Sequence, residues 1–235
     1  MQLISRAGWS ARPPRNSHTK VTSTNGVKVH YLGTRYSAAD HGTCPGYMRK
    51  LQNEHMDANG WADFAYNYAV CEHGYVFEGR GLNAQNAANG NTTLNRRHYA
   101  VLAFVGSSGH TTPTTAQVRG IKDAIAYLRA HGAGQEIRGH RDGYATACPG
   151  GPLYAMVKSG ALEPGTSGPD LDKYQPYPGA AWFKERPHSP IVTAMGKRLV
   201  AEGCSAYKTG PGPQWTDADR ASYAKWQRKL GYSGA

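Results

Sequence analysis

No apolar stretch in the 235 residues approaches the roughly 20 needed to cross a bilayer as a helix, so insertion into a membrane is not expected. Cysteine is scarce. The four present (Cys44, Cys71, Cys148 and Cys204) are too few and too widely spaced for a dense disulfide framework. The first residues, Met1 to Arg6, lack the charged head and apolar stretch of a secretory signal, so the chain is expected to be made in a cytoplasm with its cysteines as thiols. Acidic residues are also few, 16 against 27 Lys and Arg, for a formal charge of +11. That charge predicts attraction to polyanions without naming one. The excess is spread along the chain, 17 basic against 10 acidic residues in 1–163 and 10 against 6 in 164–235. There is no basic tail of the kind that marks a nucleic-acid binder. Familiar signatures are missing too: no P-loop, no dinucleotide fingerprint and no H-E-x-x-H, while Asp57-Ala58-Asn59-Gly60 has its glycine at the wrong offset for a calcium loop.

What is present argues for a sheet. Twenty-nine Gly and 14 Pro disfavour a helical bundle. Val27 to Leu32 alternates with period two, which sets His30 opposite Val29 and Tyr31. A helix is expected after Pro45, with Met48, Leu51 and His55 at helical spacing. Tyr66–Cys71 and Tyr75–Phe77 read as a hairpin, and Tyr99–Val105 as a buried central strand. Thr114 and Thr115 open a helix with Val118, Ile121, Ile125 and Leu128 on one face and Gly132 as its terminator. The order predicts an α/β fold, a mixed central sheet with flanking helices. Turn formers from Glu163 to Gly179 replace the periodic pattern, which predicts a first domain over 1–163, a linker over 164–179 and a small helical module over 180–235. Two helices are expected there, Ile191–Gly203 and Thr216–Leu230. The second opens on Thr216 and Asp219 at capping-box spacing and has Tyr223, Trp226 and Leu230 on one face.

The segment Ile137-Arg138-Gly139-His140-Arg141-Asp142 through Cys148-Pro149-Gly150 carries the chemistry. A His and a Cys lie eight apart, at the end of a strand and in the loop after it. Imidazole and thiolate are good zinc ligands, and a third protein ligand would leave one tetrahedral position open, as catalytic zinc requires. His30 is the choice for the third, because its strand can lie beside the one ending at His140. On pattern alone Cys148 could equally be a small buried hydrophobe.

Six ordered blocks then mark a resemblance: Ala7-Gly8-Trp9-Ser10-Ala11-Arg12; Val29-His30; His55 through Asp63; Tyr66-Asn67-Tyr68; Gly74 through Gly81; and Gly139-His140-Arg141-Asp142 with Cys148-Pro149-Gly150. Together they resemble the zinc-dependent N-acetylmuramoyl-L-alanine amidases of the type shared by peptidoglycan recognition proteins and phage lysozymes. The resemblance implies Zn2+ held by His30, His140 and Cys148. It implies catalytic roles for Tyr66, at the reacting water and oxyanion, and for Thr146, which stands where some phage members have Lys. It implies substrate contacts from Arg80 and from Asn86, which replaces a family His. The 180–235 segment is similar to helical peptidoglycan-binding modules of lytic enzymes, in which more chain usually follows the last helix. The implied function is hydrolysis of the lactyl amide between N-acetylmuramic acid and L-alanine by an endolysin-like monomer. Such an enzyme would wait in a host cytoplasm until a holin releases it to the cell wall. Bacterial peptidoglycan is the expected partner, with anionic wall polymers as a diffuse second one and no specific nucleic acid. A non-catalytic peptidoglycan-binding protein is the alternative.

Overall fold

The computed structural model describes residues 1–165 and 179–234. The chain divides into two units, Met1–Pro169 and Asp170–Ala235. The expected linker falls mostly on 166–178, outside the described residues.

The first unit is built on a six-stranded sheet of β1 (Leu3–Ile4), β2 (Thr24–His30), β4 (Tyr68–Val70), β5 (Val76–Glu78), β6 (His98–Ala103) and β8 (Ala133–Gly139), in the order β1-β5-β4-β6-β2-β8. Only the β4–β5 hairpin is antiparallel. β3 (Arg35–Tyr36) and β7 (Ser108–Gly109) form a separate short pair. The mixed α/β fold, the hairpin and the central strand β6 are therefore as the periodicity predicts. The strand at Leu3–Ile4 is not foreseen, because two residues are too few to show a period.

The helices are α1 (Cys44–Asn53), α2 (Thr92–Arg97), α3 (Thr115–Ala130) and α4 (Gly151–Lys158). The expected stripe of α3 holds: Ile121, Ile125 and Leu128 are buried against Val27, Val29, Val70 and Val101, with Val118 partly buried beside them. Thr114 caps α3 by accepting from Gln117 N, and Gly132 follows its end at φ +92°. On the other face of the sheet Met48 and Leu51 of α1 pack with Trp9, Phe64, Phe77 and Leu102. His55 lies not in α1 but in the π-turn Glu54–Ala58 that continues it.

Pleating now orients the chemistry. Val27 and Val29 belong to the α3 face, so His30 points to the opposite one. Gly26, at φ +151°, sits where β2 and β8 slip register, and a Cβ there would lie 2.1 Å from Glu136 O. Only glycine permits that approach.

In the second unit α5 (Ala180–Lys184), α6 (Pro190–Ala201) and α7 (Asp217–Lys229) surround a thin core of Val192, Leu199, Cys204 and Ala224. The capping box forms: Asp219, 1% exposed, accepts from Thr216 N and Oγ1. Two expectations are corrected. A third helix, α5, precedes the two foreseen. The Tyr223-Trp226-Leu230 face is not the packed one either, for Leu230 is 52% exposed while Asp219, Ser222 and Ala224 are buried. Asp219 and Ser222 turn inward because Tyr207 Oη and Ala206 N bond to them, a tertiary gain that hydropathy does not register. Among the described residues no helix is long and apolar enough to cross a membrane.

Candidate active site

β2 ends at His30, and β8, paired with it in parallel so that Val29 faces Gly139, ends just before His140. Both imidazoles thus emerge at the carboxyl ends of adjacent parallel strands, where ligands gather in open α/β sheets. Cys148 is returned to them by a closed loop. Arg141 donates from its backbone N to Cys148 O (3.1 Å) and from its guanidinium to Cys148 O and Ala147 O. Its guanidinium also lies over the Tyr154 ring, 4.6 Å from the centroid. Asp142 holds the other side of the loop by accepting from Gly139 N (2.7 Å) and Tyr154 Oη (2.6 Å).

The result is a three-donor cluster in which one atom each of His30, His140 and Cys148 lies within 4.8 Å of the others. Cys148 Sγ is 3.6 Å from His30 Nδ1 and accepts from Tyr31 N at 3.5 Å. The two imidazole centroids are 4.6 Å apart. Burial, aided by His140, pushes the His30 pKa down to about 3, and burial with the Lys28 charge brings His140 to about 4. Both rings are therefore neutral at pH 7. Burial pushes the Cys148 thiol up to about 12, so a cation binding there would displace a proton from sulfur.

Do these residues fit a metal? His140 Nε2 is buried with no hydrogen-bond partner among the described residues, a costly state for a polar atom. A cation would relieve it. Two neutral imidazoles and a thiol that can become thiolate are a borderline-soft set with one position left over. The rings are held from behind by Asn89, 0% exposed: its Oδ1 is 2.8 Å from His30 Nε2, and its backbone accepts from His140. Outer partners of this kind fix tautomer and ring orientation. Nothing in the local sequence around Asn89 signals its role.

Tyr66 reaches the cluster, its ring 5.2 Å from that of His30 and nearly edge-on. Burial, reinforced by Cys148, raises its hydroxyl pKa above the ordinary value, so it stays a proton-bearing donor. Thr146 Oγ1 accepts from Cys148 N at 3.2 Å, which places its hydroxyl beside the cluster. Arg80 is half-buried and largely committed, donating to Phe64 O and Gln85 O. Asn86, expected to contact substrate, is engaged within the protein. It is 1% exposed, its Nδ2 donates to Asn95 O and His98 O, and its Oδ1 accepts from Ala88 N. Such an amide shapes the loop before β6 and has little left for a substrate.

Two further residues escaped the sequence reading. Lys28, one pleat before His30, is 1% exposed with Nζ unpartnered among the described residues. Tyr144 stacks on His140 with centroids 5.4 Å apart. Gly90 makes room for it: a Cβ there would lie 2.3 Å from the Tyr144 ring. Tyr66 and His55 also line a groove of about 510 Å³ walled by Tyr47, Lys50 and Glu54 of the α1 region.

Residues 20–151, more than half of the chain, match the family model of N-acetylmuramoyl-L-alanine amidase. The chain belongs to the N-acetylmuramoyl-L-alanine amidase family. The amidase-family region also resembles proteins named for recognition. Peptidoglycan-recognition protein SC2 of Drosophila simulans is 26% identical over 160 residues, 67% of this chain and 85% of the relative. An N-acetylmuramoyl-L-alanine amidase of Sus scrofa is 30% identical over 161 residues, 66% of this chain but 26% of that longer protein. Among solved structures, a variant of Drosophila PGRP-LB in complex with tracheal cytotoxin superposes with a TM-score of 0.62 at 25% identity, covering 69% of this chain and 96% of that one.

Proposed function

We propose that the protein is a zinc-dependent peptidoglycan hydrolase that cleaves the lactyl amide between N-acetylmuramic acid and L-alanine, working as an endolysin-like enzyme on the bacterial cell wall. The observation that carries this reading is the convergence of His30, His140 and Cys148 around the unpaired His140 Nε2. A wall-binding protein needs no such half-satisfied polar cluster. Zinc held by these three side chains supplies an activated water and polarises a carbonyl.

The chain's own groups do the rest. The Tyr66 hydroxyl, kept protonated by burial, donates to the oxygen that gains negative charge when the amide carbonyl is attacked. Losing one such donor typically costs about 3 to 4 kcal/mol of barrier. Thr146, whose oxygen is engaged by Cys148 N, still has a hydroxyl proton with which to orient the substrate carbonyl. The groove beside Tyr66 and His55 receives the stem peptide, with Lys50 and Arg35 on its wall suited to carboxylates. In the second unit a cleft of about 420 Å³ lined by Phe183, Met195, Trp215, Tyr223 and Arg220 offers aromatic faces to wall glycan, which supports a targeting role for 180–235. The +11 charge favours approach to anionic wall polymers.

Mass spectrometry of purified sacculi after digestion tests the reading. Release of intact stem peptides with a free L-alanine amine is expected from the wild type and not from Cys148→Ala. Tyr66→Phe should keep its metal and lose turnover by about 10²- to 10³-fold. Binding to sacculi without peptide release would instead establish the non-catalytic recognition reading, which the names of several relatives favour.

A further inference from the structure

A second cluster lies away from the first and takes no part in the proposed chemistry. One ligand atom each of His41, Cys44, Cys71 and His73 falls within 4.8 Å of the others. Cys44 Sγ is 3.8 Å from His73 Nδ1, and Cys71 Sγ is 3.8 Å from His41 Nδ1 and 4.0 Å from His73 Nδ1. Both thiols are buried and unbridged, and both imidazoles are partly buried. Two local devices bring them together. His41 opens the 3₁₀ turn His41–Thr43 that leads into Cys44, the first residue of α1. Cys71 and His73 occupy the tight β4–β5 turn, closed by Gly74 N to Cys71 O and Cys71 N to Tyr75 O. The His41 ring is held by stacking on Tyr75, centroids 3.7 Å apart.

We infer that His41, Cys44, Cys71 and His73 form a structural zinc site, closed by four protein ligands. A tetrahedral zinc with bonds of about 2.3 Å to sulfur and about 2.0 Å to nitrogen sets its S···N edges at about 3.5 Å. The distances observed are a few tenths of an ångström longer, so a small inward rotation of side chains completes the polyhedron. Two thiolates neutralise the dication, and two imidazoles add no charge, which suits a buried location. No position remains for water, so the site is structural and not catalytic. Its two halves belong to the start of α1 and to the β4–β5 turn. The ion therefore pins the helix whose Tyr47, Lys50 and Leu51 wall the groove beside Tyr66.

The count of metal ions tests this without reference to the first site's activity. Native mass spectrometry of the full chain, purified without chelator and without reductant, should give two zinc ions per wild-type chain, one in Cys148→Ala and one in Cys71→Ser. Cobalt substitution of Cys148→Ala supplies a second measurement that does not require altering the new site. Intense tetrahedral d–d bands with thiolate charge transfer are expected, because of the three cysteines that remain only Cys44 and Cys71 share a metal-ligating cluster among the described residues. A single zinc in the wild type that disappears in Cys148→Ala would overturn the assignment. So would a wild-type mass short by two hydrogens with a Cys44–Cys71 peptide that separates only on reduction, since the pair would then be a disulfide.

Discussion

The carboxamide of Asn89 meets His30 Nε2 at 2.8 Å while its backbone meets His140, so one buried residue orients two candidate ligands. Replacing it with Ala would free the His30 ring to rotate while leaving the backbone bond to His140 in place, and removing such an outer partner typically costs 10- to 100-fold in metal affinity. Competition titration against a zinc chelator should show that loss in Asn89→Ala with little change in the far-ultraviolet spectrum. An affinity equal to wild type would mean that the strands alone position the rings. The contrast with Asn86 is instructive. Both asparagines lie in the same polar loop, and no periodicity or motif distinguishes them. Asn86 spends its amide on Asn95 O and His98 O, and only the path of the loop decides which of the two faces the ligands. Tyr66, by contrast, was legible, because the Tyr66-Asn67-Tyr68 block ties it to a strand start whose Asn67 anchors three backbone groups: Gly81 O, Ala84 O and Ala100 N.

At the scale of elements, the segment from His140 to Cys148 behaves as a clasp. Arg141 gathers the carbonyls of Ala147 and Cys148 and covers Tyr154, and Asp142 ties the clasp to β8 and α4 through Gly139 and Tyr154. Hydrogen bonds from a charged donor are worth about 1.5 to 3 kcal/mol. Arg141→Ala should lower the thermal midpoint and weaken zinc retention together, since only the backbone bond from residue 141 to Cys148 O would remain to close the loop. Calorimetry with and without added zinc would detect this, and an unchanged midpoint would show that packing of Tyr154 and Pro149 suffices. The strands and the long helix α3 could be read because each buries a face over several repeats. The strand β1, the helix α2 and the short α4 could not, being too brief for a period or too polar.

For the molecule as a whole, the buried Asp63 links three distant parts of the first unit. Arg6 pairs with it at 2.9 Å, His18 at 3.2 Å, and Gln52 Nε2 donates to it at 2.6 Å. Burial alone would raise its pKa, but the bonds from His18 and Gln52 and the Arg6 charge outweigh it and hold the carboxyl down to about 2. A folded pKa below the unfolded value of about 3.9 contributes stability that is present above pH 4 and lost as pH falls through 2, about 2 kcal/mol in all. Urea midpoints measured from pH 6 to pH 2 should therefore show wild type losing its advantage over Asp63→Asn in that acid window. A gap independent of pH would assign the effect of Asp63 to packing.

The sequence by itself determined the α/β class, the strands β2 and β6, the cap and stripe of α3, the helical nature of 180–235 and, through six ordered blocks, the residues of the first cluster. These are local properties: a repeat of 2 or 3.6 residues records which face is apolar, and a motif keeps its residues within a few positions of each other. Tertiary structure alone decided that Cys148 stands 3.6 Å from a His30 118 positions earlier. It also decided that Asn89 backs the site while Asn86 does not, and that His41, Cys44, Cys71 and His73 converge. Those outcomes depend on the register of neighbouring parallel strands and on where the loops after them close, and no local pattern along the chain carries that information.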